Sequence, residues 1–325
     1  VSGSGAASVG VIAHLDNPSF ADIEALAVAA EGADAAWLGV ADAFWWRDVW
    51  MLLTAAARVT TRLTVGPVVT NPYLRHRFHT YAALASLQDL AGPGRVLLGL
   101  AAGGSEVSGA AGIPRDDAGR RVEALVHGLR SVEAGMPLDP RSGRTLEVPL
   151  APSPVMIAGR GPGMLRAAGR VADSALLWAI PGSDLERCVG VIRSAAAAAG
   201  RPGPDLVWAP LLVRDDADHE RARTIAAYGI LNAGAERRAA WQVSDALVHE
   251  VRSRLIAGGA AAAAELVPER VVADVAVLDP DPAALAVRAQ MIGAHRIAVP
   301  AYAVGEVAGQ VSFAAGILQR LRARS

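Results

Sequence analysis

The sequence contains no lysine: all 31 of its basic residues are arginine. That absence removes Schiff-base chemistry, pyridoxal-phosphate attachment and a Walker-type phosphate loop together, and it leaves any anion to be held by arginine or by backbone amides. Cysteine is almost as scarce, since the lone Cys188 has no partner within the chain for a disulfide. Charge of one sign is lacking as well. The formal net charge is −1 and no block of like charge occurs, so there is no electrostatic footprint for nucleic acid or an anionic membrane surface, and a small molecule is the expected partner. Long apolar runs are also missing: the alanine-rich stretches 195–199 and 260–264 are too short, and too closely flanked by Gly, Arg and Glu, to cross a bilayer. Residues 1–8 are small and polar rather than basic and then apolar, which argues against a signal peptide and for a cytoplasmic location.

What is present is a chain of 325 residues, 52% hydrophobic, with enough apolar material for a large core built without disulfides or metals. Short runs rich in Val, Leu and Ile at 9–13, 35–40, 63–69, 96–101, 155–158, 174–179, 206–213 and 296–299 read as strands. Helical patterns at 20–31, 49–59, 80–90, 120–134, 164–171 and 185–199 fill gaps between them. This alternation predicts an α/β fold, a single (β/α)8 TIM-barrel domain over 1–325, with a Gly-, Pro- and Arg-rich connection at 135–154 and a helical insertion at roughly 216–266. An open doubly wound sheet is the competing topology, but no Gly-x-Gly-x-x-Gly follows the first strand directly. In a barrel the chemistry gathers at the C-terminal ends of strands, so those positions are the ones to inspect.

The run Gly159-Arg160-Gly161-Pro162-Gly163-Met164 has the form of a strand end, a glycine turn and a helix start. Unpaired amides of Gly161, Gly163 and Met164 make an anion site there and Arg160 adds a charge-assisted contact; the plain alternative is an ordinary βα turn in which glycine only permits tight geometry. Phe44, Trp45 and Trp46 at the second strand end, and Trp178 at the sixth, are suited to wall a planar ring or an apolar substrate, although one of the first three is expected to pack into the helical shell. His14 ends the first strand and is placed to line a ligand, a buried and satisfied histidine being the alternative. His76 and His79 stand three apart at a helix start without a third ligand at a matching interval, so no metal is expected. His127 and His219 read as surface helix residues, and the pairs Asp116-Asp117 and Asp215-Asp216 as helix caps.

Three separated segments occur in a telling order: Arg47-Asp48-Val49-Trp50, then Val65-Gly66-Pro67-Val68-Val69-Thr70-Asn71-Pro72-Tyr73, then Leu98-Gly99-Leu100-Ala101-Ala102-Gly103-Gly104-Ser105, with Leu87-Gln88-Asp89-Leu90 closing the intervening helix. Together with the run from Met156 to Asp173 they resemble the luciferase-like superfamily, in the branch of the methylenetetrahydromethanopterin reductases. The resemblance implies coenzyme F420, a deazaflavin, as hydride carrier. It implies cofactor contacts at Asp42, Val68, Val69, Thr70, Asn71, Ala102, Gly103 and Gly104 besides the Gly159–Met164 run, a non-prolyl cis peptide between Val68 and Val69, a substrate pocket that includes Tyr73, and a homodimer using the helix at 49–59. The family commonly carries an Asp-His pair near the second strand end; here Asp42 matches the Asp and Ala43 replaces the His. Proton delivery then falls to Asp42, His14, Tyr73, His79, Ser105 or water, with Asp42 and His14 as the catalytic candidates. The expected reaction is reduction of a C=N or C=C bond in a small molecule such as a secondary-metabolite intermediate. An FMN-dependent monooxygenase on the same barrel and a non-catalytic flavin-binding protein are the alternatives.

Overall fold

The computed structural model describes residues 7–104, 109–114 and 116–324. Its strands are β1 (Ser8–Ala13), β2 (Trp37–Val40), β3 (Thr64–Pro67), β4 (Leu98–Leu100), β5 (Val155–Ala158), β6 (Ser174–Trp178), β7 (Asp205–Ala209), β8 (Leu211–Val213), β9 (Ala276–Leu278) and β10 (Arg296–Ala301). All but β8 and β9 lie in one parallel sheet in the order β3-β2-β1-β10-β7-β6-β5-β4. The sheet closes on itself where the Val65 amide donates to the Arg95 carbonyl (2.9 Å) and the Leu97 amide to the Val65 carbonyl (3.1 Å), giving the expected (β/α)8 barrel.

Strands such as Trp37–Val40 are buried at every position, because the barrel interior covers one face and the helices cover the other. Ile12, Trp37, Val68, Leu97, Met156, Leu176, Val207, Ala209 and Ala298 fill the interior. Trp37 fits there because residue 10 is glycine: a Cβ at Gly10 would stand 2.0 Å from the indole ring.

Around the barrel run α1 (Phe20–Gly32), α2 (Val49–Arg58), α3 (Arg77–Ala91), α4 (Ala118–Glu133), α5 (Pro162–Val171) and α6 (Leu185–Ala198). The chain continues through α7 (Asp216–Asn232), α8 (Ala235–Ala240), α9 (Asp245–Ala264), α10 (Glu269–Val275), α11 (Pro282–Ile292) and α12 (Val307–Arg322). Local chemistry starts several of them. Ser19 and Asp22 form a reciprocal capping box on α1, and Asp48 caps α2 through the Trp50 amide (2.9 Å). Among the described residues no helix is long and apolar enough to cross a membrane.

Several boundaries differ from the sequence reading. The run 206–213 is two strands, because Pro210 has no N–H to donate and β8 leaves the barrel to pair with β9 in a separate two-stranded parallel sheet. The insertion therefore does not stop at 266: helices α7 to α10 carry it to Val275, around a hydrophobic cluster of its own that includes Ile225, Ile230, Trp241, Val251 and Val272. It is tied down by Asp274, whose Oδ2 accepts from the Trp241 indole N–H (2.8 Å) and the Ser183 hydroxyl (3.0 Å), while Arg237 pairs with both Asp274 and Asp184. Helix α3 starts three residues before the expected 80, with the His76 imidazole accepting from the Phe78 amide (3.3 Å). Of the acidic pairs, Asp215 caps α7 through the Asp218 amide (2.8 Å), but Asp117 makes no capping hydrogen bond to α4 and instead pairs with Arg120. His219 is half-buried rather than a free surface residue and meets Glu269 at 2.7 Å; His127 is exposed as expected.

Candidate functional site

The C-terminal ends of β2, β3 and β4 lie side by side and carry the first group of residues. The Thr70 hydroxyl donates to Asp42 Oδ2 at 2.6 Å, joining the loop after β2 to the segment after β3. Thr70 itself is buried and held by backbone bonds to the β4 segment, its amide to the Gly99 carbonyl (3.0 Å) and its carbonyl from the Ala101 amide (2.9 Å). Burial raises the Asp42 carboxyl above its ordinary range, with the like charge of Asp48 adding to the effect and the Thr70 hydrogen bond and Arg75 opposing it. Asp48 pairs with Arg75, which keeps that opposing positive charge in place.

The peptide joining Val68 and Val69 is cis, as the resemblance implied. Val68 packs into the barrel interior, and a Cβ on Gly99 would lie 2.3 Å from the Pro67 carbonyl oxygen and 3.3 Å from the Val68 Cα. Val69, Ala158 and Trp178 are partly exposed and pack on that same interior cluster, so together they form an apolar floor at the mouth. Asn71 is buried, and its side-chain carbonyl accepts from the amides of Tyr73 (3.0 Å) and Leu74 (3.1 Å). Gly103 has φ of 74° beside it, a left-handed conformation suited to glycine, and Ala102 and Gly104 flank it at the strand end.

A second group gathers at α5. Gly161 is its N-cap and provides no side-chain acceptor, and Pro162 occupies the first turn without an N–H. The Gly163 and Met164 amides are left without an intrahelical acceptor at the positive end of the helix. Gly159 is required by the turn, because a Cβ there would lie 2.3 Å from the Met164 Cβ. Arg160 is surrounded by protein although part of it reaches solvent, and among the described residues no carboxylate offsets the burial that lowers its pKa. Its guanidinium comes within 3.8 Å of the place where a Cβ on Gly229 of α7 would stand, and Trp241 adjoins the same spot. An unpaired cation beside free helix amides is an arrangement that takes an anion such as a phosphate.

The third group was only half visible from the sequence. His14 stacks on Trp178 (ring centroids 5.8 Å, planes 28° apart) and is tilted against Tyr302 (5.0 Å). Arg221 of α7 lies 4.4 Å over the Tyr302 ring. Tyr302 follows the end of the last barrel strand, the type of position the barrel rule marks; Arg221 sits in the insertion, where no local motif marks it.

Phe44 (49% exposed) and Trp45 (43%) meet edge to face on the surface and Trp46 is half-buried, so none of the three packs inside the helical shell. Their loop is clasped to the one after β1 by Arg47, whose guanidinium donates to the carbonyls of Asn17 (3.1 Å) and Pro18 (3.3 Å). The Tyr73 hydroxyl donates to the Asp116 carbonyl (3.3 Å), and its ring faces Arg121 of α4. His76 serves as a helix cap and His79 is exposed; among the described residues no cluster of three or more His, Cys, Asp or Glu is placed to hold a metal. Ser105 lies outside the described residues.

Comparison with known proteins agrees with the barrel fold. The chain is 30% identical over 177 residues, 53% of each protein, to a 5,10-methylenetetrahydromethanopterin reductase of Methanolobus tindarius. It is 33% identical over 184 residues, 52% of this chain and 54% of the relative, to an F420-dependent glucose-6-phosphate dehydrogenase of Beutenbergia cavernae. The chain thus spans about half the length of the curated relatives it matches. Its fold superimposes with a TM-score of 0.77 on the coenzyme F420-dependent tetrahydromethanopterin reductase of Methanopyrus kandleri, at 19% identity and covering 94% of this chain and 98% of that one. The family model for luciferase-like monooxygenases matches residues 4–299, and the chain belongs to that family.

Proposed function

We propose that the chain is an oxidoreductase that binds coenzyme F420 at the barrel mouth and, with the cofactor reduced, directs hydride transfer to a C=N or C=C bond of a small molecule. The observation that carries the reading is Arg160: a cation without a carboxylate partner among the described residues, next to the open N-terminus of α5, on a barrel whose mouth also offers the floor of Val69, Ala158 and Trp178. A planar ring with a phosphate-bearing tail needs those two features, an apolar surface and a separate anion anchor, and the residues present fit it. The F420 dependence of the Beutenbergia cavernae relative supports the choice of cofactor. Its substrate would be a small molecule, and we place the protein in the cytoplasm as a homodimer formed through α1 and α2, where Val28 (53% exposed) and Met51 (60%) present apolar side chains.

When bound, the deazaflavin supplies a carbon that gives or takes a hydride. The chain's own residues do the rest. The floor excludes water from the ring face, and Arg160 with the Gly163 and Met164 amides holds the anionic tail. Thr70 fixes the Asp42 carboxyl in one orientation, and burial lets that carboxyl keep its proton to higher pH than an exposed aspartate does.

Calorimetric titration of the purified protein with F420 and, separately, with FMN tests the reading. Binding of F420 at least tenfold tighter than FMN, about 1.4 kcal/mol, is expected. Tight FMN binding without F420 binding would overturn it in favour of a flavin-dependent monooxygenase, the chemistry for which the family is named.

A further inference from the structure

The ends of β1, β6 and β10 meet in a cluster that the reading above leaves without a task. His14 is exposed on one side and enclosed by protein on the others. Its ring lies on Trp178 and against Tyr302, so the neighbouring rings restrict the directions in which the imidazole can point. Tyr302 is in turn covered by Arg221, which donates to Glu306 Oε1 (2.8 Å) and Asp218 Oδ1 (3.3 Å). Asp218 is buried and is also held by the Arg214 Nε (2.8 Å). Behind Tyr302, a cavity of about 10 Å³ is lined by Arg214, Asp218, Arg221 and Gln310.

We infer that His14 is a ligand-contacting residue of this mouth, presented by Trp178 and Tyr302, and that Arg221, reaching in from the helical insertion, is its positioning residue. The inference rests on the mouth being the ring-binding site proposed above, whether the ring is a deazaflavin or a flavin: a ring held over Val69 and Ala158 would share its floor with Trp178, on which His14 stacks. It also assigns the insertion a part in ligand binding through the contact from Arg221 to Tyr302 to His14.

The electrostatics support a specific role. Burial, helped by the charge of Arg221, lowers the His14 pKa below 6.5, against the opposing effects of a backbone hydrogen bond and of Asp16. Tyr302 faces the imidazole directly, with its own hydroxyl pushed far up by burial, so it stays neutral; Asp218, Glu306 and Arg214 lie behind it. A neutral imidazole offers one N–H and one lone pair, and protonation removes the lone pair. Ligand affinity should then fall as pH drops through the His14 pKa, because the proton and the ligand's donor compete for one nitrogen.

The test combines NMR of the full chain with labelled histidine and calorimetry over about pH 5 to 8, using oxidised F420 and FMN as probes. His14 should titrate below 6.5 and shift when F420 is added, while exposed His127 stays put. Arg221→Gln should move the His14 titration upward, and Arg221→Lys should restore it. Below that pKa the F420 affinity of the wild type should fall by up to tenfold per pH unit relative to His14→Gln, which lacks the titrating group. F420 binding that leaves the His14 resonance unmoved, or identical pH profiles for wild type and His14→Gln, would sink the inference and leave the cofactor reading intact. FMN shifting His14 in a protein that does not bind F420 would do the reverse, and failure of both ligands to bind would end both.

Discussion

Asp42 accepts a hydrogen bond from Thr70 while burial works against its negative charge, and burial is the larger of the two effects. Its folded pKa therefore lies above the ordinary 3.8. The stability this group contributes is complete below that unfolded value and is lost as pH rises through the folded one. Asp42→Asn keeps an acceptor for the Thr70 hydroxyl and has no charge to bury. Its melting temperature should match the wild type near pH 4 and equal or exceed it at neutral pH, as thermal melts across that range will show. A wild type that gains stability over the variant as pH rises would mean that the carboxylate has a favourable partner in the fold. Asp42 and Thr70 were both legible in the sequence because the resemblance to the luciferase-like superfamily marks the segments that hold them. Tyr302, although it follows a strand end, and Arg221 were not singled out, since their importance comes from contacts distant in sequence, Tyr302 with His14 and Arg221 with Tyr302.

At the scale of elements, α5 is the part whose chemistry can be altered without disturbing the fold. Nothing lies within 4 Å of a Cβ built on Gly161, and its φ of −79° suits any residue. Gly161→Ala should leave both stability and F420 binding nearly unchanged. Gly161→Asp places a carboxylate at the helix N-terminus, where it takes the free amides for itself and repels a phosphate. Calorimetry should show F420 affinity reduced at least tenfold, about 1.4 kcal/mol, with the melting temperature retained. Affinity within about twofold of wild type would place the phosphate elsewhere.

The barrel strands were readable because double-sided burial makes each one a compact apolar run, and their ends were less so because side-chain pattern does not record where pairing stops. Pro210 shows the difference: the apolar run continues through it while the missing N–H divides the strand in two. Strand β9 was hidden for a related reason, as Ala276–Leu278 follows directly on α10 with no Gly or Pro between them.

Across the whole molecule, the insertion is part of the mouth rather than an appendage. Asp274, Arg237 and Asp184 fasten it to the segment after β6, α7 brings Gly229 close to Arg160, and the same helix places Arg221 over Tyr302. One helix thereby adjoins both the anion anchor and the His14 cluster. Sequence pattern located the insertion but not this contact, which depends on how a separately packed hydrophobic cluster docks on the barrel. The central claim is that the mouth holds a deazaflavin with its phosphate at Arg160. Its most direct measurement compares the affinities of wild type and Arg160→Gln for F420 and for the same deazaflavin core lacking the phosphate tail. The account predicts that the substitution weakens F420 binding at least tenfold, about 1.4 kcal/mol, and leaves binding of the phosphate-free core unchanged; equal loss for both ligands, or loss for neither, would contradict it.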